Sequence, residues 1–237
     1  MLLTGNKIKE EYKKGKILLE PYNESQINPN SYNITLNKTL KFYKDMKILT
    51  DEEGNNYLAD INGRGLNSKF KSYKDMKTLT NEEGDNYLVD INNGKGLNYK
   101  VNGIDTFYID PKKPMKTYEL EIPENGLIIP PNELILGSTN EKAGSDYFVP
   151  MYEGRSSTGR LGLASHITAG FGDIGFKSNW TLEILTIYPI KLYRDMEIGQ
   201  VCFLEISNGE NNDIILYNGK YKNQDVAKES QIYKDFK

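Results

Sequence analysis

Apolar and polar residues alternate in short runs along most of this chain, and Gly or Pro closes nearly every run. Ser31-Tyr32-Asn33-Ile34-Thr35-Leu36 alternates with the period of two that a strand with one buried face requires. Leu127-Ile128-Ile129 ahead of Pro130-Pro131, then Leu134-Ile135-Leu136, read as further strands. Thr181–Ile190 and Val201–Ile206 are apolar and β-branched enough to predict strands as well. The opening stretch differs. Ile8, Tyr12, Leu18 and Leu19 sit loosely on one helical face, so a helix is expected over 7–20, ending before Pro21. One short N-terminal helix followed by many short strands predicts an all-β subunit, a barrel or jelly roll.

An internal repeat interrupts this pattern. Residues 41–61 recur at 71–91 with 16 of 21 positions identical. Each copy carries Glu-Glu-Gly and an Asn or Asp pair, a turn signal, followed by Tyr-Leu-Ala/Val-Asp-Ile, a strand signal. Two copies are too few for a solenoid. The expectation is a tandem duplication of a hairpin-like unit, forming a surface insertion over 41–100. A solvated appendage without a catalytic part and a partner-binding or lid element both fit.

Composition narrows the field. The 237 residues make one sizeable domain. Net charge is −3, so no strong field draws the chain to nucleic acid or an anionic membrane. No apolar run is long enough to span a bilayer, and Met1–Lys7 lacks the apolar core of a signal peptide. A cytoplasmic protein is expected. Cys202 is the single cysteine and His166 the single histidine. Neither an intrachain disulfide nor a His/Cys-ligated zinc site can be built from them. His166 is read as structural, Cys202 as a buried small hydrophobe, and Trp180 as core or subunit contact.

The densest chemistry lies in Gly154-Arg155-Ser156-Ser157-Thr158-Gly159-Arg160. Two arginines, two serines and two glycines in one loop make an anion cradle, with exposed backbone N–H groups and bidentate guanidinium contacts. Thr168-Ala169-Gly170-Phe171-Gly172-Asp173 follows, and then Thr181-Leu182-Glu183. A carboxylate near an anion cradle suits chemistry on a nucleotide. Glu183 is the candidate for a group that takes a proton from water and passes it on. Trp180, Leu182, Ile184 and Leu185 beside it are expected to supply an apolar setting that raises its pKa.

With His166–Phe176 these motifs resemble the dCTP deaminase family of the dUTPase-like fold. Ile27-Asn28-Pro29-Asn30-Ser31-Tyr32-Asn33 is similar to an early segment of that family. Ile198-Gly199-Gln200 is similar to a late-strand segment, and Tyr217 with Lys220-Tyr221-Lys222-Asn223-Gln224 to its C-terminal arm. The resemblance covers about 20–40 and 115–237. It implies a distorted jelly-roll homotrimer whose sites are shared between subunits. It implies dCTP as substrate, Mg²⁺ carried on the triphosphate, and no zinc. By resemblance, Arg155, Ser156, Ser157, Thr158, Gly159 and Arg160 line the triphosphate and catalytic pocket. Ser156 helps hold the attacking water, and Arg160 lies near the base and Glu183. Ala169 offers backbone groups, and Asp173 meets the deoxyribose 3′-hydroxyl. Thr181 and Leu182 flank the catalytic Glu183. Tyr217, Lys220 and Gln224, in an arm over 214–237, clamp the phosphates.

The leading expectation is zinc-independent deamination of dCTP to dUTP and ammonia. Thr168-Ala169-Gly170-Phe171 looks more like a bifunctional branch that carries bound dUTP on to dUMP and pyrophosphate. A pure dUTPase leaves Glu183 without a task. A non-catalytic nucleotide sensor has no need of a water-activating carboxylate.

Overall fold

The computed structural model describes residues 1–43, 46–51, 53–60, 76–80, 86–90, 109–207 and 214–236. Helix α1 spans Gly5–Lys13, and its first turn is capped by Thr4, whose hydroxyl accepts from the Lys7 N–H. Gly15 takes a left-handed φ of 70°, which ends the helix and lets Lys16 N–H return to the Glu11 carbonyl. The helix expected over 7–20 is therefore too long. Residues Ile17–Glu20 form strand β1, with Ile17 and Leu19 buried on one face at a spacing of two. An apolar triplet after a glycine satisfies either period, and pairing with a longer strand decides it.

The remaining strands follow in chain order: β2 Tyr32–Thr35, β3 Thr39–Phe42, β4 Met46–Thr50, β5 Asn56–Asp60, β6 Met76–Thr80, β7 Asn86–Asp90, β8 Tyr118–Glu121 and β9 Leu127–Ile129. Then come β10 Ile135–Ser145, β11 Phe148–Gly154, the single-turn helix α2 Ser156–Gly159, β12 Leu163–Ala164, β13 Lys177–Thr186, β14 Ile190–Leu192 and β15 Glu197–Glu205. One sheet has the order β12-β13-β10-β3-β8, with β1 also paired to β10. A second is β11-β15-β2, and a third is β14-β9-β5-β4-β6-β7. The expectation of an all-β subunit with a short N-terminal helix holds. The core is Ile8, Ile17, Leu19, Tyr32, Ile34, Leu40, Phe42, Tyr152, Leu182, Ile184 and Phe203 with their neighbours. No described helix is long and apolar enough to cross a membrane.

Strand β10 is much longer than the Leu134–Leu136 run that announces it. Its polar half is buried and, apart from the Ser138 hydroxyl, which has no hydrogen-bond partner among the described residues, is satisfied from within. Thr139 Oγ1 donates to the Glu141 carbonyl and accepts from the Trp180 N–H, while Glu141 accepts from Gln26 and Thr35. Partners distant in sequence make a buried polar strand acceptable, and local pattern cannot show them.

The expected insertion boundary also moves. Lys41 and Phe42 lie in β3, and Phe42 is core, so the insertion begins after them. The first copy of the repeat forms the β4–β5 hairpin, which joins β9 through the parallel pair Tyr57 and Ile128. Its turn is docked: Asn56 Nδ2 donates to the Gly126 carbonyl at 3.2 Å, and Asn125 Nδ2 donates to the Gly54 carbonyl at 2.7 Å. The second copy forms β6–β7 and meets β4 at Thr50 and Thr80. The rest of 41–100 lies outside the described residues.

Candidate active site

The anion-cradle loop is rooted between β11 and β15. Gly154 pairs with Gly199, and a side chain at Gly199 would put its Cβ 2.1 Å from the Tyr152 hydroxyl. Glycine at this position leaves room for the Tyr152 ring to lie across β15. Tyr152 is buried and donates to Ser165 Oγ at 2.7 Å, tying β11 to the far end of the loop. Desolvation pushes the Tyr152 phenol up, so it stays a neutral donor across the ordinary pH range. Arg155 precedes α2, and its Nη2 lies 2.7 Å from Glu197 Oε2. Thr158 is buried, with its hydroxyl turned back to the Arg155 carbonyl at 2.9 Å. Ser156, Ser157, Gly159 and Arg160 are exposed along the outer side of the turn.

Glu183 sits on β13, opposite Leu136 of β10. Its Oε2 accepts from the Ile167 N–H at 2.9 Å and from the Thr168 N–H at 3.4 Å, and its own N–H donates to the Ser165 carbonyl. The carboxylate thereby fixes the start of the Thr168–Asp173 segment. Strand alternation places Leu182 and Ile184 in the core, on the face opposite Glu183. The apolar wall expected around the carboxylate is thus not formed by these neighbours. Trp180 is core, donating Nε1–H to the Ala143 carbonyl and stacking on Tyr152. His166 meets the Tyr152 ring edge-on, 5.4 Å between centroids, with Nε2 3.6 Å from Glu153. Cys202 is buried in β15, which raises its thiol pKa.

The C-terminal arm runs against β13. Tyr217 donates its N–H to the Ile174 carbonyl at 2.7 Å and packs edge-on against Phe176. Gln224 is buried, and its Nε2 donates to the Asn179 carbonyl at 2.6 Å. Lys228 N–H donates to Thr181 Oγ1 at 3.0 Å. Beyond this the arm reaches the root of the insertion, where Ser230 N–H donates to Tyr43 Oη and Glu229 lies 3.6 Å from Lys41.

Comparison with known proteins places this geometry. A family model described as dCTP deaminase-like matches residues 89–206. A protein of Clostridium acetobutylicum named dCTP deaminase, dUMP-forming, is 37% identical over 100% of this chain and 99% of its own length. A protein of the same name from Clostridium botulinum, strain Alaska E43, is 38% identical over the same shares. The chain belongs to the dCTP deaminase family. A solved 2′-deoxycytidine 5′-triphosphate deaminase from Agrobacterium tumefaciens aligns at 14% identity and a TM-score of 0.47, over 85% of this chain and 47% of that one.

Within this dCTP deaminase family member, the residues named from sequence fall into two groups. Glu183, Ala169 and Asp173 share one segment, because Glu183 holds its start and the Asp173 carbonyl closes its turn on the Phe176 N–H. Thr181 and Gln224 meet through the arm. Lys220 instead pairs with Asp235, and the buried Gln224 gives its Nε2–H to the Asn179 carbonyl while its Oε1 has no partner among the described residues. No described hydrogen bond links Ser156 or Arg160 to Glu183; all three are accessible at the surface of the chain. Sequence reading missed Glu197 and Tyr43. Glu197 directly precedes Ile198-Gly199-Gln200, and that adjacency was its one available signal.

Proposed function

We propose that this protein converts dCTP to dUMP in two hydrolytic steps at one site. The observation that carries the reading is the full-length match to relatives named dCTP deaminase, dUMP-forming. It favours the bifunctional alternative over release of dUTP, in line with the Thr168-Ala169-Gly170-Phe171 segment. In the first step Glu183 takes a proton from water, hydroxide adds to cytosine C4, and the carboxyl returns the proton to the base as ammonia leaves. In the second, water attacks the α-phosphorus of bound dUTP, and pyrophosphate departs. The sum is dCTP plus two waters giving dUMP, pyrophosphate and ammonia.

Mg²⁺ arrives on the triphosphate as part of the substrate and balances its charge. Arg155, Ser156, Ser157 and Arg160 receive the phosphates, Asp173 the 3′-hydroxyl, and the arm with Tyr217 covers them. We read the site as completed by a neighbouring copy in a homotrimer. Exposed Leu161, Ile167, Phe171, Ile187 and Tyr188 around the site support that reading, because large apolar side chains grouped on a surface favour a protein contact.

The deciding assay incubates purified protein with dCTP and Mg²⁺, with and without a zinc chelator, and separates products by anion exchange. Equal dUMP and pyrophosphate, unchanged by the chelator, is the expected outcome. Accumulation of dUTP would return the reading to a pure deaminase, and untouched dCTP would end both.

A further inference from the structure

We infer that Glu197 is a positioning residue that holds the Arg155 guanidinium in place for the nucleotide, an inference that rests on the proposed phosphate role of Arg155. Glu197 grips Arg155 twice. Its Oε2 lies 2.7 Å from Arg155 Nη2, and its backbone carbonyl accepts from Arg155 Nη1 at 3.3 Å. Both contacts belong to the residue that opens β15, so the guanidinium is referred to a strand backbone as well as to a side chain.

The gripping carboxylate is itself fixed. Glu197 Oε1 accepts from Asn33 Nδ2 at 3.0 Å, and Asn33 Oδ1 accepts from Asn28 Nδ2 at 2.6 Å. Asn33 is buried on β2, paired in register with Gln200. The β2–β15 ladder slips between Glu197 and Gly199, and such an irregularity re-aims the side chains beside it. A second relay runs parallel to the first. Ser31 Oγ donates to Gln200 Oε1 at 2.6 Å, and Gln200 Nε2 donates to the Gly154 carbonyl at 3.0 Å. The segments 28–33 and 197–200 thus brace the residue pair Gly154 and Arg155 from one side.

A guanidinium carries five N–H donors in a rigid plane. Two are occupied by Glu197, which leaves the others for phosphate oxygens without releasing the anchor. An arginine already ordered in this way loses less conformational freedom when the anion binds. The opposite effect competes, since a carboxylate beside a phosphate site repels the ligand. The two effects predict opposite signs, and we place positioning first.

The test is a cycle of Glu197→Ala, Arg155→Ala and the double variant, with Glu197→Gln beside them to retain an acceptor in the same place. Thermal unfolding identifies variants that fold. Positioning predicts that Glu197→Ala raises KM for dCTP roughly tenfold with kcat within about twofold, and that it adds almost nothing once Arg155 is gone. Glu197→Gln should recover part of the loss. A lower KM in Glu197→Ala, or additive effects in the double variant, overturns the inference while Arg155 keeps its role. An unchanged KM in Arg155→Ala removes the phosphate role itself and the inference with it.

Discussion

Glu183 is asked to serve as a proton carrier while its carboxylate already receives two backbone N–H groups. Removing it therefore mixes two effects, and two substitutions separate them. Glu183→Gln keeps an oxygen that can accept from Ile167 and Thr168 but cannot take a proton from water. Deamination should fall by about 10³-fold or more, with dCTP binding retained. Glu183→Ala should be equally inactive and also less stable by about 0.5–1 kcal/mol, because two exposed N–H groups exchange the carboxylate for water. Retained turnover in the Gln variant would discard the mechanism. Glu183 is a candidate the sequence itself offers, because its neighbours repeat a known order of motifs. Glu197 was not, since its partner Arg155 lies 42 positions earlier and only the pairing of β11 with β15 brings them together.

Strands were legible where burial alternates and illegible where polar residues are buried. β9 matches its apolar run, whereas β10 continues through Thr139 and Glu141 because Trp180, Gln26 and Thr35, distant in sequence, satisfy them. The repeat was visible as a hairpin unit, but its attachment was not, because Asn56 finds Gly126 across the fold. The two hairpins consequently differ in weight. The first pairs with β9 and packs its turn on Asn125, and the second touches the first through Thr50 and Thr80. Excision of 62–91, which recreates the native Ile-Asn junction at its seam, should leave dCTP turnover within about threefold and the unfolding midpoint nearly unchanged. A loss of folding would show that the second hairpin carries part of the structure. Excision from residue 41 onward is a different experiment, since it takes Phe42 out of the core.

Exposed apolar residues dominate the surface beside the site. Ile187 is 66% and Tyr188 65% exposed at the turn after β13, and Leu161 and Phe171 are more than half exposed nearby. Their proposed burial in a trimer makes assembly and activity one property. Ile187→Asp with Tyr188→Asp should shift the mass in solution from trimer to monomer and abolish turnover, although Glu183 is untouched. A fully active monomer would dismiss the shared site. Away from that surface, the link between β4 and β6 has a genetic meaning. Two tandem stretches that share 16 of 21 residues offer a register for unequal recombination, and each such event would add or delete one hairpin at the margin of a sheet. Where descendants of this gene differ in length, the difference should be one hairpin at this place, with the sheet that holds β10 and β13 registering neither gain nor loss.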